Sequence, residues 1–434
     1  MGKKTVIKIN KEFRTALQLI NETDRNIFLT GRAGTGKSTL LTYFRQKTRK
    51  RHVVLAPTGV AALNVHGQTI HSFFGFHPEI KKSLVRKAHP DSLDLFKKLE
   101  TIIIDEISMV RADLLDCVDR ALRLNRDRPD LPFGGVQMVL IGDLFQLPPV
   151  VTRDELDMFR TSYPSPYFFS ADVMRQFPVE TFELKKVYRQ KDRDFVELLN
   201  RVRNARVTED DVRLWNERHD PDFDPRNEDD YMVHLTTTNK MAQRRNDLEL
   251  SQLESKEWRF KATSFGDIGG RRMPSEATVT VKDGARIMFT TNDPLKRWVN
   301  GSLGTIRRVR QDDEAGQPVL EVELENGDEV EVERHTWEVF EYRSGQGGSL
   351  EEEVVGSYTQ YPITLAWAVT IHKSQGKTFE RVLVDVGHGA FAHGQMYVAL
   401  SRCMTLKGIV LLRKFRPTDV ILDRAVTDFM GPQS

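Results

Sequence analysis

The sequence predicts an α/β protein of two tandem lobes, each a mostly parallel sheet covered by helices, with a small β-barrel inserted in the second. Three observations carry this. Short apolar runs that read as buried strands alternate with helical periods along most of the chain. The alternation comes in two series: a first lobe over 1–183 and a second, starting near Val179, over 184–276 and 343–434. Between the parts of the second, residues 277–342 lose the helical period and turn rich in Val, Gly and alternating charge. A chain of 434 residues has room for about two to four compact units.

Taken in order, Asn10 leads into Phe13, Ala16, Leu17 and Ile20 at i, i+3, i+4, i+7, an amphipathic helix that Asn10 can cap. The strand run 27–29 enters GRAGTGKS (31–38), and a helix opens at Ser38. Further buried strands are expected at 52–56, 101–104 and 137–141, a helix at 112–124, and an accessory loop or hairpin at about 66–95. The second series has helices at 194–204, 240–253 and 394–402, and strands at 232–236, 381–386 and 408–412. In the insert, VLEVELENGDEVEVE (319–333) is a hairpin around Asn326-Gly327. A two-residue loop would set Leu324 against Glu329, so a three-residue loop, which keeps Val and Leu opposite Val, is the expected register. The Gly-rich exit 344–349 reads as a mobile connection.

Composition bounds the function classes. With 39% hydrophobic and 29% charged residues, and no apolar run near the ~20 needed for a membrane span, the chain is of the soluble globular kind. Its polar start, MGKK, offers no signal core, so cytoplasm or nucleoid is the expected location. Cys117 and Cys403 lack partners at metal-ligand spacing and read as reduced structural thiols. A net charge of +2 neither declares nor excludes a polyanion partner, because affinity depends on where the cations lie.

GRAGTGKS, between a strand and a helix, is a complete phosphate loop. Glycines 31, 34 and 36 let amide N–H groups face nucleotide oxygens, and the helix N-terminus adds partial positive charge. Lys37 would reach the β/γ-phosphates and Ser38 would ligate Mg²⁺. At IIIDEISM (102–109) a strand delivers Asp105, which would hold Mg²⁺ through water, and Glu106, which would orient or deprotonate the attacking water. The bland alternative is a helix start, where acids are common. LIGDLFQLPP (140–149) places Asp143 and Gln146 at a third strand end, or is merely a Gly-Asp turn closed by prolines. Arg189 and Arg402 are candidate γ-phosphate arginines; taken singly, each reads more readily as a surface or structural residue. Because only the first series carries a phosphate loop, a nucleotide sandwiched between related lobes is expected.

Segments rich in Thr, Gly, His and aromatics follow several strands: Pro57-Thr58-Gly59, TIHSFF (69–74), TTTN (236–239) and TIHKSQG (370–376). Hydroxyls and amides can hold phosphates, and His or Phe can stack on bases without reading them, although His71 and Phe73 are equally readable as packed.

The strings GRAGTGKST, APTGVAALNVHGQTIHSFF, IIIDEISMV, GDLFQLPPV, LKKVYRQ, AVTIHKSQGKTFE and YVALSR stand in the order of a superfamily-one DNA helicase. They most resemble the Pif-type (petite-integration-frequency) helicases, relatives of the RecD-like enzymes. EISMVRADLLDCVDRALR is similar to that family's short signature, and FTTNDPLKRWVNGSLGTI to its second-lobe barrel. The resemblance implies two RecA-like P-loop NTPase lobes with an SH3-like barrel. It also implies a monomeric ATP- and Mg²⁺-dependent hydrolase that moves 5′ to 3′ on single-stranded DNA, opening duplex junctions or quadruplexes, with motors of DNA repair, recombination and telomere upkeep as its relatives.

Residue by residue, the resemblance assigns Gly31, Gly34, Thr35, Gly36, Lys37, Ser38, Thr39 and Gly376 to the nucleotide, and Ser38 and Asp105 to the metal. Lys37, Asp105, Glu106, the sensor Gln146 and the finger arginines Arg189 and Arg402 form the catalytic set. Pro57, Thr58, Gly59, His71, Phe73, Thr238, Asn239, His372, Ser374 and Gln375 become DNA contacts. Where many relatives carry a glutamine in the N-terminal helix this chain has Phe13, and Gln18 lies on another face, so the resemblance does not say how adenine is chosen. Competing readings are a protein-displacing translocase that unwinds little and a nucleic-acid-binding ATPase switch. A P-loop kinase explains neither the second lobe nor the insert.

Overall fold

The computed structural model describes residues 9–431 except 78–79, 152, 226–231, 267, 269–272, 312–316 and 345–349. The chain divides into two compact units. One comprises Met1–Leu144, Pro148–Tyr188 and Phe340–Glu353; the other comprises Phe145–Leu147, Arg189–Val339 and Val354–Ser434.

In the first unit, α1 (Lys11–Glu22) starts as its spacing predicts, with the Asn10 side chain accepting from Phe13 N at 2.7 Å. The strands are β1 (Ile27–Gly31), β2 (His52–Ala56), β3 (Gln68–Thr69), β4 (Thr101–Ile104), β5 (Gln137–Ile141) and β6 (Glu180–Leu184). They form one parallel sheet in the order β3-β2-β4-β5-β1-β6. Helices α2 (Lys37–Lys47), α3 (Gly59–Asn64), α4 (Ile70–Phe74), α5 (Pro90–Lys98), α6 (Ala112–Asn125) and α7 (Arg153–Ser162) supply the crossovers and surroundings. Burial on both faces explains why the inner strands are unbroken apolar runs rather than alternating ones. A parallel sheet also gathers every strand's C-terminal end at one edge, where ligands of open α/β sheets bind.

The second series was expected to start near Val179, with the first lobe ending at 183, yet β6 pairs with β1 from Ile27↔Glu180 to Gly31↔Leu184, and this stretch of the first unit runs to Tyr188. Parallel partners lie far apart in sequence, and nothing local says which sheet a strand joins. The stretch 66–95 holds β3, α4 and a short turn at Lys82–Leu84 before α5, with no hairpin among the described residues. Val85 there packs on Cys117 and Ala121 of α6, together with Phe74, Phe76 and Ile80.

The second unit begins with α8 (Arg193–Arg203), α9 (Glu209–Asn216), β7 (Val233–Thr236) and α10 (Asn239–Gln252). An insertion follows: β8 (Trp258–Lys261), β9 (Thr263–Gly266), β10 (Thr278–Val281), β11 (Arg286–Phe289), β12 (Leu303–Arg310), β13 (Val319–Leu324), β14 (Glu329–Val332), β15 (His335–Ser344), β16 (Leu350–Gln360) and β17 (Ile363–Leu365). The α/β core then resumes with β18 (Ala368–Thr370), β19 (Val382–Asp385), α11 (Gln395–Leu400) and β20 (Ile409–Leu411), in a parallel sheet ordered β18-β7-β19-β20.

The insertion is therefore wider than 277–342. Its antiparallel sheet β14-β13-β12-β11-β17 recruits β17 from beyond that range, and β8 pairs with β10. It has its own core, in which Phe289 stacks on Trp298 with centroids 4.4 Å apart among Val281, Ile287, Ile306, Leu320 and Tyr361. The hairpin takes the expected register: Leu320 faces Val332, Val322 faces Val330, and a three-residue loop turns at Gly327, φ +83°. All of the Gly-rich exit 344–349 but Ser344 falls outside the described residues.

Along β12 of the insert the two signs of charge interleave. Arg307 pairs with Glu323, and Arg310 with Glu321 at 3.1 Å and Glu331 at 2.7 Å, because β12 lies beside β13 and cross-strand neighbours interleave the two signs. Arg297 forms a bidentate pair with Asp293, at 2.8 and 3.0 Å. Both cysteines are buried and free, and burial pushes Cys117 up to about 12 and Cys403 to about 11, as inert structural thiols require.

Candidate ATPase site and nucleic-acid contacts

The turn between β1 and α2 is built for close backbone approach. Gly36, the N-cap of α2, has φ +86°, and a Cβ there would lie 2.9 Å from Phe13 Cζ. Phe13 is thus buried beneath the loop as its floor, whereas Gln18 is exposed. A Cβ on Gly31 would meet Leu184 O of β6 at 2.7 Å and Thr35 Oγ1 at 2.8 Å. Thr35 is buried and its hydroxyl donates to Arg32 O at 2.9 Å. Lys37 Nζ donates to Gly31 O at 2.7 Å and Arg32 O at 3.3 Å, which holds the ammonium across the loop. Ser38 and Thr39, in the first turn of α2, are exposed.

Asp105 and Glu106 follow β4. Asp105 N donates to Leu55 O at 2.9 Å, fixing the strand end. Burial first, then the Glu106 carboxylate, pushes Asp105 up to about 7 against the opposing pull of Lys37. That pull ties the end of β4 to the phosphate loop. Glu106 itself stands in left-handed backbone, φ +50° and ψ +43°, a strain of about 1–3 kcal/mol for a non-glycine residue. One hydroxyl and a crowded carboxylate pair fit Mg²⁺, a hard cation that takes its remaining ligands from phosphate and water. They are not a protein-only cage: among the described residues no group of three or more His, Cys, Asp or Glu is placed to hold a metal.

β5 lies directly beside β1, as the sequence reading of Asp143 and Gln146 requires, and both residues are buried. Segment Phe145–Leu147 groups with the second unit. There it is gripped twice. Gly394, N-cap of α11 with φ +68°, has no room for a Cβ against Phe145 O and Gln146 O. The Arg203 guanidinium stacks on the Phe145 ring, 3.9 Å from its centroid. Sequence reasoning missed both; a glycine opening a helix is a faint signal, and Arg203 gave none.

Arg189 and Arg402 do come together. Arg402 lies just past α11 rather than on it, since the helix ends at Leu400, and it is fully buried. Its guanidinium donates to Val398 O at 2.9 Å, Ser401 Oγ at 3.0 Å, and Ser374 O and Lys377 O, both at 3.3 Å. Arg189 donates to Ser401 O at 3.2 Å and Gly376 O at 3.4 Å, and burial holds its guanidinium below the usual value. One turn, 374–377, therefore offers carbonyls to both arginines, and Gly376 belongs to it.

The candidate DNA contacts fall into two matching sets. In the first unit, Ala56 of β2 faces Thr69 of β3; in the second, Thr236 of β7 faces Thr370 of β18. Thr58 accepts from Ala61 N at 3.2 Å, and Thr238 from Met241 N at 3.3 Å, each at the start of a helix. Thr69 accepts from Ser72 N at 3.1 Å, and Thr370 from Lys373 N at 3.2 Å. Each is followed by Ile-His: His71 and His372, both half-buried and lowered by burial. Pro57, Gly59 and Asn239 flank these turns. Phe73 packs edge-on against Phe74 and Phe96, with centroids 4.9 and 5.4 Å away, which favours its packed reading. Ser374 is fully buried and donates to Ile371 O at 2.8 Å, so it shapes its turn instead of facing outward, while Gln375 is half-buried beside it.

The signature helix α6 is mainly structural. Asp116 accepts from Asp172 N, Val173 N and Tyr163 Oη at 2.9–3.1 Å, and Asp119 from Phe133 N at 2.6 Å.

A family model described as PIF1-like helicase matches residues 8–213. The ATP-dependent DNA helicase Pif1 of Bdellovibrio bacteriovorus is 32% identical over 98% of this chain and 92% of its own length. The human ATP-dependent DNA helicase PIF1 is 32% identical over 93% of this chain and 61% of its own length. Among solved structures, Bacteroides sp Pif1 in complex with ADP-AlF4 superposes with a TM-score of 0.87 at 37% identity, over 97% of this chain and 96% of that one. Bacteroides Pif1 bound to ssDNA gives 0.70 at 38% identity, over the same shares.

Proposed function

This chain belongs to the PIF1-like helicase family, and from that premise we propose that it is a 5′-to-3′ motor on single-stranded DNA. It is an ATP-hydrolysing enzyme, as the helicases it matches over nearly its whole length are. The observation that carries the reading is the pairing of one complete phosphate loop, whose Lys37 acts on the charge of Asp105 beside Glu106, with a strand-end device that occurs once in each unit.

Lys37, released from Gly31 O and Arg32 O, would turn to the β/γ-phosphates, while the amides of 34–36 cradle them. Glu106, pre-set by its strained backbone, is the group that takes the proton of the attacking water. Mg²⁺ bound through Ser38 and Asp105 would neutralise phosphate charge. Gln146 would sense the γ-phosphate, and Arg189 and Arg402 would stabilise the charge that develops on it. Thr58, Thr69 and Thr238 accept backbone N–H bonds and keep their own protons for phosphate oxygens, while the buried Thr370 shapes its turn, so the strand is held without base reading. We further read the insertion as an SH3-like barrel, the working partner as a single strand at a duplex junction or quadruplex, the motor as a monomer, and its place of work as the nucleoid.

The deciding experiment is ATP hydrolysis with and without single-stranded DNA, paired with unwinding of 5′-tailed and 3′-tailed duplexes. Stimulated hydrolysis with opening of the 5′-tailed duplex alone is expected. Efficient opening of a duplex bearing only a 3′ tail sinks the polarity, and unstimulated hydrolysis sinks the motor.

A further inference from the structure

The turn that serves both arginines is also tied to the insertion. Residues 371–377 leave β18 in a tight path: Ser374 N donates to Thr370 O at 3.0 Å, Gln375 N to His372 O at 3.2 Å and Lys377 N to Ser374 O at 3.0 Å, with Gly376 at φ +80°. Its carbonyls are turned to Arg189 and Arg402. Its last side chain goes the other way. Lys377 Nζ donates to Asn300 Oδ1, in the loop between β11 and β12, at 2.8 Å. The lysine stem lies along Gly301, where a Cβ would sit 3.3–3.5 Å from Lys377 Cβ, Cγ and Cδ and where φ is +94°.

Asn300 is a firm anchor. Its N–H donates to Asn292 Oδ1 at 2.7 Å, Gly301 N donates to Phe289 O at 2.9 Å, and Val299 N to Ser302 Oγ at 3.0 Å. The loop is thereby sewn to β11 and to Phe289, which stacks on Trp298 in the insertion's core. Desolvation, helped by nearby Lys373, brings the Lys377 ammonium down to about 8. A cation held where water does so little for it depends on its protein acceptor.

We propose that Asn300 and Lys377 form a positioning tie through which the inserted sheet sets the 374–377 turn, and with it Arg189 and Arg402, for ATP hydrolysis. This rests on the assignment of those arginines to the γ-phosphate. Neither tie residue touches the nucleotide; each acts through the carbonyls that the arginines use. The insertion is then part of the hydrolytic apparatus and not only an appendage of the second unit.

The test is steady-state ATP hydrolysis by the full chain with saturating oligo-dT. Asn300→Ala and Lys377→Met should each lower kcat about fivefold to tenfold. The KM for ATP and the oligonucleotide Kd should stay within about twofold, the pattern of a lost transition-state arrangement. Asn300→Asp, which keeps the acceptor, should restore kcat, and the double variant should be no slower than Lys377→Met alone. A wild-type kcat in Asn300→Ala, an Asn300→Asp as slow as Asn300→Ala, or fully additive losses would each overturn the tie. Arg189→Ala and Arg402→Ala, run in parallel, separate the two failures. Wild-type turnover in those variants sinks the arginine assignment, whereas slow arginine variants beside a fast Asn300→Ala sink only the tie.

Discussion

In the proposed mechanism Lys37 and Glu106 divide the chemistry between charge and base, so their substitutions should fail in different ways. Lys37→Ala removes the ammonium now held by Gly31 O and Arg32 O, and is expected to abolish hydrolysis with single-strand binding largely kept. Hydrolysis near the wild-type rate would move the nucleotide site elsewhere. Glu106→Gln keeps shape but loses the base: nucleotide binding should survive while turnover falls about 10²-fold or more in a single-turnover assay. The two half-buried histidines carry a pH prediction. Burial lowers both His71 and His372 from 6.5, so the unfolded chain binds protons that the folded one refuses. Their contribution to stability is full above about 6.5 and is lost as pH falls below it. Thermal melting between pH 7.5 and 5.5 should show Tm dropping, and His71→Phe with His372→Phe should flatten that slope. An unchanged slope would place the acid sensitivity in other groups.

At the scale of elements, what was legible in the sequence is what neighbours decide. The helix cap at Asn10 and the three-residue loop at Gly327 follow from residues within one or two turns of each other, and both form as expected. What was not legible depends on partners far along the chain. Glu180–Leu184 looks like any strand until β1 claims it, and Arg307 and Arg310 look like a basic face until β13 and β14 bring acids alongside. In the site, the phosphate loop and the Asp105-Glu106 pair were readable because backbone chemistry restricts their sequence. The second unit's grip on Gln146 was not, since any helix can begin with glycine. That grip is testable. Gly394→Ala drives a methyl group onto Phe145 O and Gln146 O, and because misplacement by about 1 Å can cost 10²-fold, hydrolysis should fall by about that factor with nucleotide binding kept. If Gly394→Ala is folded by circular dichroism and hydrolyses ATP normally, the position of Gln146 does not matter to turnover.

The molecule as a whole carries its threonine-capped strand-end turn twice, as the proposed motor, which would hold its strand with both units, requires. The two sets match in strand register, in threonine caps three residues from their N–H donors, and in the Thr-Ile-His sequence that follows. Equal construction predicts comparable contributions. Thr58→Ala and Thr238→Ala should each weaken single-strand affinity a few-fold, and the double variant should lose about the product, because the sites share no partner. Each substitution also removes a helix cap worth about 1 kcal/mol, so Thr58→Ser and Thr238→Ser are the controls. Serine keeps both the cap and the hydroxyl and should bind as the wild type does. The salt slope of binding should not change in any of these variants, because a hydroxyl bound to phosphate releases no counterion. Fluorescence anisotropy with a labelled oligonucleotide at several salt concentrations reads all of this at once. Loss confined to one unit's threonine would mean that a single unit holds the strand and that the likeness of the two turns is architectural. Loss matched by the serine controls would assign the effect to folding of α3 or α10 rather than to contact with DNA.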